Sequence, residues 1–154
     1  MSVEMEKKAA KREMFEKRLA LRKRSHHAGC MFNRQPAVSG LNFRFDDSGK
    51  LRGEFECGKE RQGYDGMVHG GVVAAIIDAS MAQCLMGHDV VAYTADLSVR
   101  YRRPVTIDTP IVIITSVLQS RSEYLYMLES EICQNAELAV KATGKFVRPK
   151  LIAV

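Results

Sequence analysis

The chain has no tryptophan, and proline and cysteine occur four times each in 154 residues. So little proline, with no low-complexity stretch and no internal repeat, excludes a rigid spacer or a repeat array. The cysteines (Cys30, Cys57, Cys84 and Cys133) never stand at C-x-x-C spacing. That argues against a disulfide framework and for reduced thiols in a cytoplasmic protein. The cluster His26, His27 and Cys30 is spaced too tightly for zinc and lacks an evident fourth ligand, so no metal and no cofactor is expected. Apolar runs fall short of the roughly 20 residues that a bilayer requires, and no apolar core follows the N-terminal charges. Neither a membrane span nor a signal peptide is therefore expected.

Excess charge is also missing from most of the chain. The formal net charge is +5, and residues 1–24 carry nine Lys/Arg against four Glu, so the other 14 basic and 14 acidic residues balance. The high pI belongs to a basic N-terminal helical arm over 1–24, ahead of a single domain over 25–154. Glu4 with Lys8 and Glu13 with Lys17 stand at helical i,i+4 spacing, which favours a solvated helix over a nucleic-acid or membrane contact. Because the arm holds charge but no chemistry, removing it is expected to leave turnover largely intact.

What is present in quantity is one apolar stretch. From Val72 to Met86 only Asp78, Ser80 and Gln83 are polar, and a helix apolar all round is a buried one. Ser80 in mid-helix is expected to bond back to a carbonyl. Alternating segments flank this stretch: 41–45 and 51–57 form a hairpin across Asp46-Asp47-Ser48-Gly49, after a connecting loop over 24–40. Four longer strands follow over 90–103, 111–118, 124–133 and 138–147. In the first of these, Leu97, Val99 and Tyr101 share one face, with Asp96, Ser98, Arg100 and Arg102 on the other. The pattern predicts an α+β domain whose antiparallel sheet curls round a central helix.

The helix opens at His69-Gly70-Gly71. Glycines without a Cβ allow close approach of another molecule, and first-turn N–H groups at a positive dipole end suit an oxygen gaining negative charge. Asp78, seven residues beyond Gly71, lies about 10 Å further along the axis. One helix cannot apply both groups to one small substrate, whereas two helices related by a two-fold axis can.

The run His69-Gly70-Gly71 with Asp78, then Thr94-Ala95-Asp96-Leu97-Ser98-Val99 and Tyr101-Arg102-Arg103-Pro104, resembles the hotdog-fold thioesterases of the PaaI-like group. The resemblance covers roughly 41–149. It implies a hotdog fold, with an antiparallel sheet wrapped round a long central helix, here with an extra N-terminal helix. It also implies a homodimer or a dimer of dimers, and hydrolysis of an acyl-CoA substrate. Asp78 takes the position of the base or nucleophile, Gly70 and Gly71 that of the oxyanion hole, and Thr94 that of a hydroxyl holding the attacking water. Many members have Asn six residues before the motif histidine. Here that residue is Gly63, and Gln62 beside it is the candidate substitute.

Other candidates keep two readings. His69 is either a catalytic residue or a turn histidine that fixes the glycine loop. Gln62, Tyr64 and Asp65 are ligand-gripping or ordinary loop residues. Arg100, Arg102 and Arg103 either hold CoA phosphates or are solvated charges at a strand edge. A non-catalytic acyl-CoA-binding module is the alternative function, and a hydroxyacyl dehydratase using His69 and Asp78 is the third.

Overall fold

The computed structural model describes residues 2–34 and 41–149. A helix α1 (Val3–His26) and a single turn α2 (Met31–Arg34) lead into β1 (Asn42–Phe45) and β2 (Leu51–Phe55). A 3-10 turn at Lys59–Arg61 precedes the central helix α3 (Gly70–Gly87), and β3 (Tyr93–Tyr101), β4 (Ile111–Ser120), β5 (Leu125–Gln134) and β6 (Glu137–Val147) follow. The elements agree with those expected, except that α1 and α2 occupy part of the stretch read as a loop. Residues 35–40 of that loop and the chain end past 149 lie outside the described residues.

The six strands form one antiparallel sheet in the order β1-β2-β4-β5-β6-β3, packed on α3: the hotdog arrangement. Burial alternates residue by residue along β5, and its inward set, including Leu128 and Ile132, meets Ile77, Met81 and Leu85 of α3 in one core. Glycine permits the closest passages. A Cβ at Gly87 would lie 2.1 Å from the Phe45 ring, and one at Gly144 would lie 2.6 Å from the Met81 sulfur.

Two details differ from the expected picture of α3. By length and apolarity it is sufficient to cross a membrane, yet 61% of it is buried inside this fold. Nor is it buried all round. Gly71 is exposed, and Ala75, Asp78 and Ala82 are only half-buried, so at i,i+3/i+4 spacing they leave one open stripe of small residues around the carboxylate. The polar groups sealed inside are Ser80 and Gln83. Ser80 Oγ donates to the Ile77 carbonyl (2.7 Å), as expected, and also meets Thr115 Oγ1 (2.8 Å) within a buried hydroxyl cluster that includes Ser130.

The N-terminal helix is not simply solvated. Most of it is exposed, and Glu4–Lys8 and Glu13–Lys17 form the expected ion pairs, but Phe15 and Leu19 are buried in the core. Phe15 stacks on Phe45 at 5.2 Å between ring centroids and lies 4.6 Å from the His88 ring at the end of α3. Arg22 then reaches Asp89 with two hydrogen bonds (3.0 and 2.9 Å).

Candidate active site

The site is built where the polar loop gives way to α3. His69 caps the helix from an extended backbone (φ −58°, ψ 131°), and its Nδ1 accepts the Gly71 N–H at 2.9 Å. The ring therefore holds the glycine turn, which is the turn-histidine reading of this residue. Its carbonyl accepts from Val72 N (2.9 Å) and Val73 N (3.1 Å). Among the described residues no acceptor faces the N–H of Gly70, so it is the first-turn donor left open. Tyr101 donates its hydroxyl to the Gly70 carbonyl at 2.6 Å. Strand alternation groups Tyr101 with Leu97 and Val99 but gives it no part in the site.

A cavity of about 710 Å³ opens at this helix end, walled by Met67, Val68, Val73 and Val105, with Gly70 at its edge. Gly63, Tyr64, His69, Tyr101, Arg102 and Arg103 also line it. Gln62 does not. Its Oε1 accepts the Gly66 N–H (2.8 Å), and its Nε2 lies 3.5 Å from Asp65, so the amide is spent inside the loop. Gly63 has no side chain to offer one, and a Cβ there would crowd the His69 Cα at 3.1 Å. Neither position offers an amide to the cavity.

Asp78 does not reach this cavity. It lies two turns down the open stripe of α3, where Thr94 Oγ1 donates to its Oδ1 at 2.5 Å. Strict alternation along β3 would place Thr94 on the far face with Asp96. The pairing to β6 slips between Thr94 and Asp96, and this bulge turns Thr94 to the helix side, opposite the buried Phe146. His27, at the end of α1, also senses Asp78. Burial pushes the His27 ring below the usual histidine value, Lys23 and His26 push it further, and the Asp78 charge pulls it back up.

The arginines divide. Arg102 and Arg103 rim the large cavity, whereas Arg100 joins them only around a second, polar hollow of about 670 Å³ bounded by Glu137 and Leu138. Arg103 is ion-paired with Glu137. A smaller groove of about 310 Å³ continues past Arg100 and Arg102 to Ser98, Lys141 and Thr143 on the outer face of the sheet.

The structure thus brings Gly70, His69, Tyr64, Arg102 and Arg103 together, sets Asp78 with Thr94 apart from them, and leaves Gln62 facing its own loop. Within one chain the open Gly70 N–H and the Asp78 carboxylate stand about two helical turns apart.

The chain is similar to known proteins in sequence and in fold. Residues 65–127 match the family model described as the Thioesterase superfamily. The rat acyl-coenzyme A thioesterase THEM4 is 31% identical over 96 residues, covering 61% of this chain and 41% of that protein. The chain spans less than half the length of the curated relatives it matches (27%, 41% and 44%). Among solved structures, the E. coli PaaI protein from the phenylacetic acid degradation operon superposes with a TM-score of 0.69 at 15% identity, over 80% of this chain and 91% of that one. A Streptococcus mutans protein bound to acetyl CoA gives a TM-score of 0.65 at 17% identity, over 70% and 89%. These matches bear out the resemblance to PaaI-like hotdog thioesterases.

Proposed function

We propose that this chain hydrolyses acyl-CoA thioesters to the free acid and CoA, in a site shared between two copies. The observation that carries the reading is the open Gly70 N–H at a helix N-terminus, paired in the same helix with a hydroxyl-held carboxylate on an uncovered stripe. The thioesterase family match and the name of the THEM4 relatives support the substrate class.

The chemistry follows from those groups. The thioester carbonyl oxygen sits at the Gly70 N–H, where the helix dipole and an orphan donor favour the charge that develops on it. Asp78, held by Thr94, takes a proton from water, whose oxygen bonds to the carbonyl carbon while the C=O electron pair moves to oxygen. Collapse expels the CoA thiolate, and the proton held by Asp78 goes to the sulfur. Direct attack by Asp78 reaches the same products through a mixed anhydride that water then opens. Single turnover in ¹⁸O-water detects direct attack where water opens the anhydride at the Asp78 carbonyl, because general-base attack puts all the label in the product acid. The apolar walls of Val68, Val73 and Val105 suit an acyl group, and Arg102, Arg103 and Arg100 offer guanidinium groups to phosphates.

A second copy completes the site. β3 is one of the sheet's two edge strands and is exposed along most of its length, with Tyr93 66% and Tyr101 48% exposed. It lies beside the open stripe of α3, so a two-fold mate packed there brings its Asp78 to the Gly70 of the first copy.

The test is a panel of acyl-CoAs read by free-thiol release, with Asp78→Asn alongside. The variant keeps the shape and should melt near wild type while losing about 10²–10⁴-fold in kcat. Saturable binding of acyl-CoA by a wild-type protein that releases no thiol would instead establish the binding-module alternative.

A further inference from the structure

Gly70 has no side chain to anchor it, and it sits at a helix end, where first turns fray. Its two flanking peptides are nevertheless held. The His69 carbonyl on one side takes the N–H groups of Val72 and Val73. On the other side one peptide is gripped at both ends, its oxygen (Gly70) by the Tyr101 hydroxyl at 2.6 Å and its N–H (Gly71) by His69 Nδ1 at 2.9 Å. His69 belongs to the same loop and moves with it. Tyr101 does not, because it ends β3, paired to Val140 of β6 in the sheet.

We propose that Tyr101 is a positioning residue: its hydroxyl ties the first turn of α3 to the sheet and so fixes the aim of the Gly70 N–H at the substrate oxygen. This rests on the thioesterase reading and deepens it. The hydroxyl reaches a backbone oxygen and no reacting atom, so its effect passes entirely through the glycine turn. Burial pushes the Tyr101 hydroxyl above its ordinary value, which keeps it protonated as a donor throughout the neutral range. A Cβ built on Gly70 would lie 3.6 Å from that oxygen, so ring and turn are already in contact without crowding.

Tyr101→Phe removes one oxygen and keeps the ring in the cavity wall. Kinetics and ¹⁵N NMR of the glycine amides are measured on the same protein. Displacing the turn by a fraction of an ångström should lower kcat roughly 10-fold to 100-fold. KM for acyl-CoA should stay within about twofold, because the ground-state contacts remain. The Gly71 amide should shift and exchange faster, since its own peptide oxygen has lost a partner. Tyr101→Met, which also fills the wall without a hydroxyl, repeats both measurements should the Phe variant melt early. A variant with wild-type kcat, or one with lowered kcat and an unmoved Gly71 amide, overturns the proposal. A wild-type protein that hydrolyses no acyl-CoA sinks the thioesterase reading alone, because the amide shift still reports the tether.

Discussion

Thr94 shows how a single residue reaches a site that its sequence position argues against. By period-two alternation it belongs with Asp96 and Ser98 on the outer face, and only the resemblance to a family marked it. The bulge at Ala95 reverses the parity and sets its hydroxyl 2.5 Å from Asp78. A bulge has no signature in the alternation it interrupts, so this geometry was not legible in the sequence. Gln62 is the opposite case: its type suggested a substrate amide, but the turn at Gly66, with its positive φ of 76°, captures that amide for the loop. Thr94→Val keeps the β-branched shape and removes the donor. We expect a loss of roughly tenfold in kcat, smaller than for Asp78→Asn because the carboxylate remains. Circular dichroism melting should place its stability within about 1 kcal/mol of wild type, since the site is solvent-exposed.

The elements themselves were largely legible, because hairpin turn residues, strand alternation and the apolar run of α3 each act locally. The hairpin shows the mechanism. Asp46 Oδ1 accepts from Ser48 N (2.8 Å), Ser48 Oγ (2.7 Å) and Lys50 N (2.9 Å), closing the β1–β2 turn. Burial works to raise the Asp46 carboxyl, but those hydrogen bonds outweigh it and hold the group below its usual value. The packing of α1 was not legible, because two buried residues in a charged helix make almost no periodic signal. Phe15 and Leu19 change what the helix does. It covers Phe45 and the end of α3, so removing residues 1–24 exposes core rather than trimming an arm. Phe15→Ala should cost about 3–5 kcal/mol in chemical denaturation. A cost under about 1 kcal/mol would return α1 to the solvated reading.

The far end of α1 carries a pH dependence. Phe15 meets His88 at one end of the helix pair. Twelve residues on along α1, about 18 Å, His27 feels the charge of Asp78, which lies ten residues and about 15 Å back along α3. Burial, Lys23 and His26 hold His27 below its ordinary 6.5 in the folded protein, so the unfolded chain binds that proton more readily. The stability this contributes is full above 6.5 and is lost as pH falls from there toward the folded value. The melting temperature of wild type should decline through that window, and His27→Gln should flatten that part of the curve. An unchanged slope in the variant would assign the acid sensitivity to the carboxylates.

At the scale of the whole molecule, the helix spacing is the ground for the proposed shared site. Gly70 and Asp78 are eight residues apart, about 12 Å along one axis, and only the first borders the large cavity. The sequence already contained this argument, because helical rise is a constant. What it lacked was a surface for the proposed mate, and the exposed edge strand β3, beside the open stripe of α3, is the candidate.

Two variants, each dead alone, test the shared site. Asp78→Asn removes the carboxylate. Gly70→Pro removes the open N–H at the first helical position, where proline is tolerated. His69 already has the extended backbone that a residue before proline requires, and the space around Gly70 accepts a Cβ. A homodimer of either variant has two defective sites. A mixed dimer has one site with both defects and one with neither. Co-refolding equal amounts should therefore restore about a quarter of wild-type activity, since half of the dimers are mixed and each has one intact site. If each chain holds a complete site, every site in the mixture keeps its own defect, and mixing restores nothing. Light scattering on the same sample fixes the size of the species assayed, and a fully active monomer would end the shared-site reading.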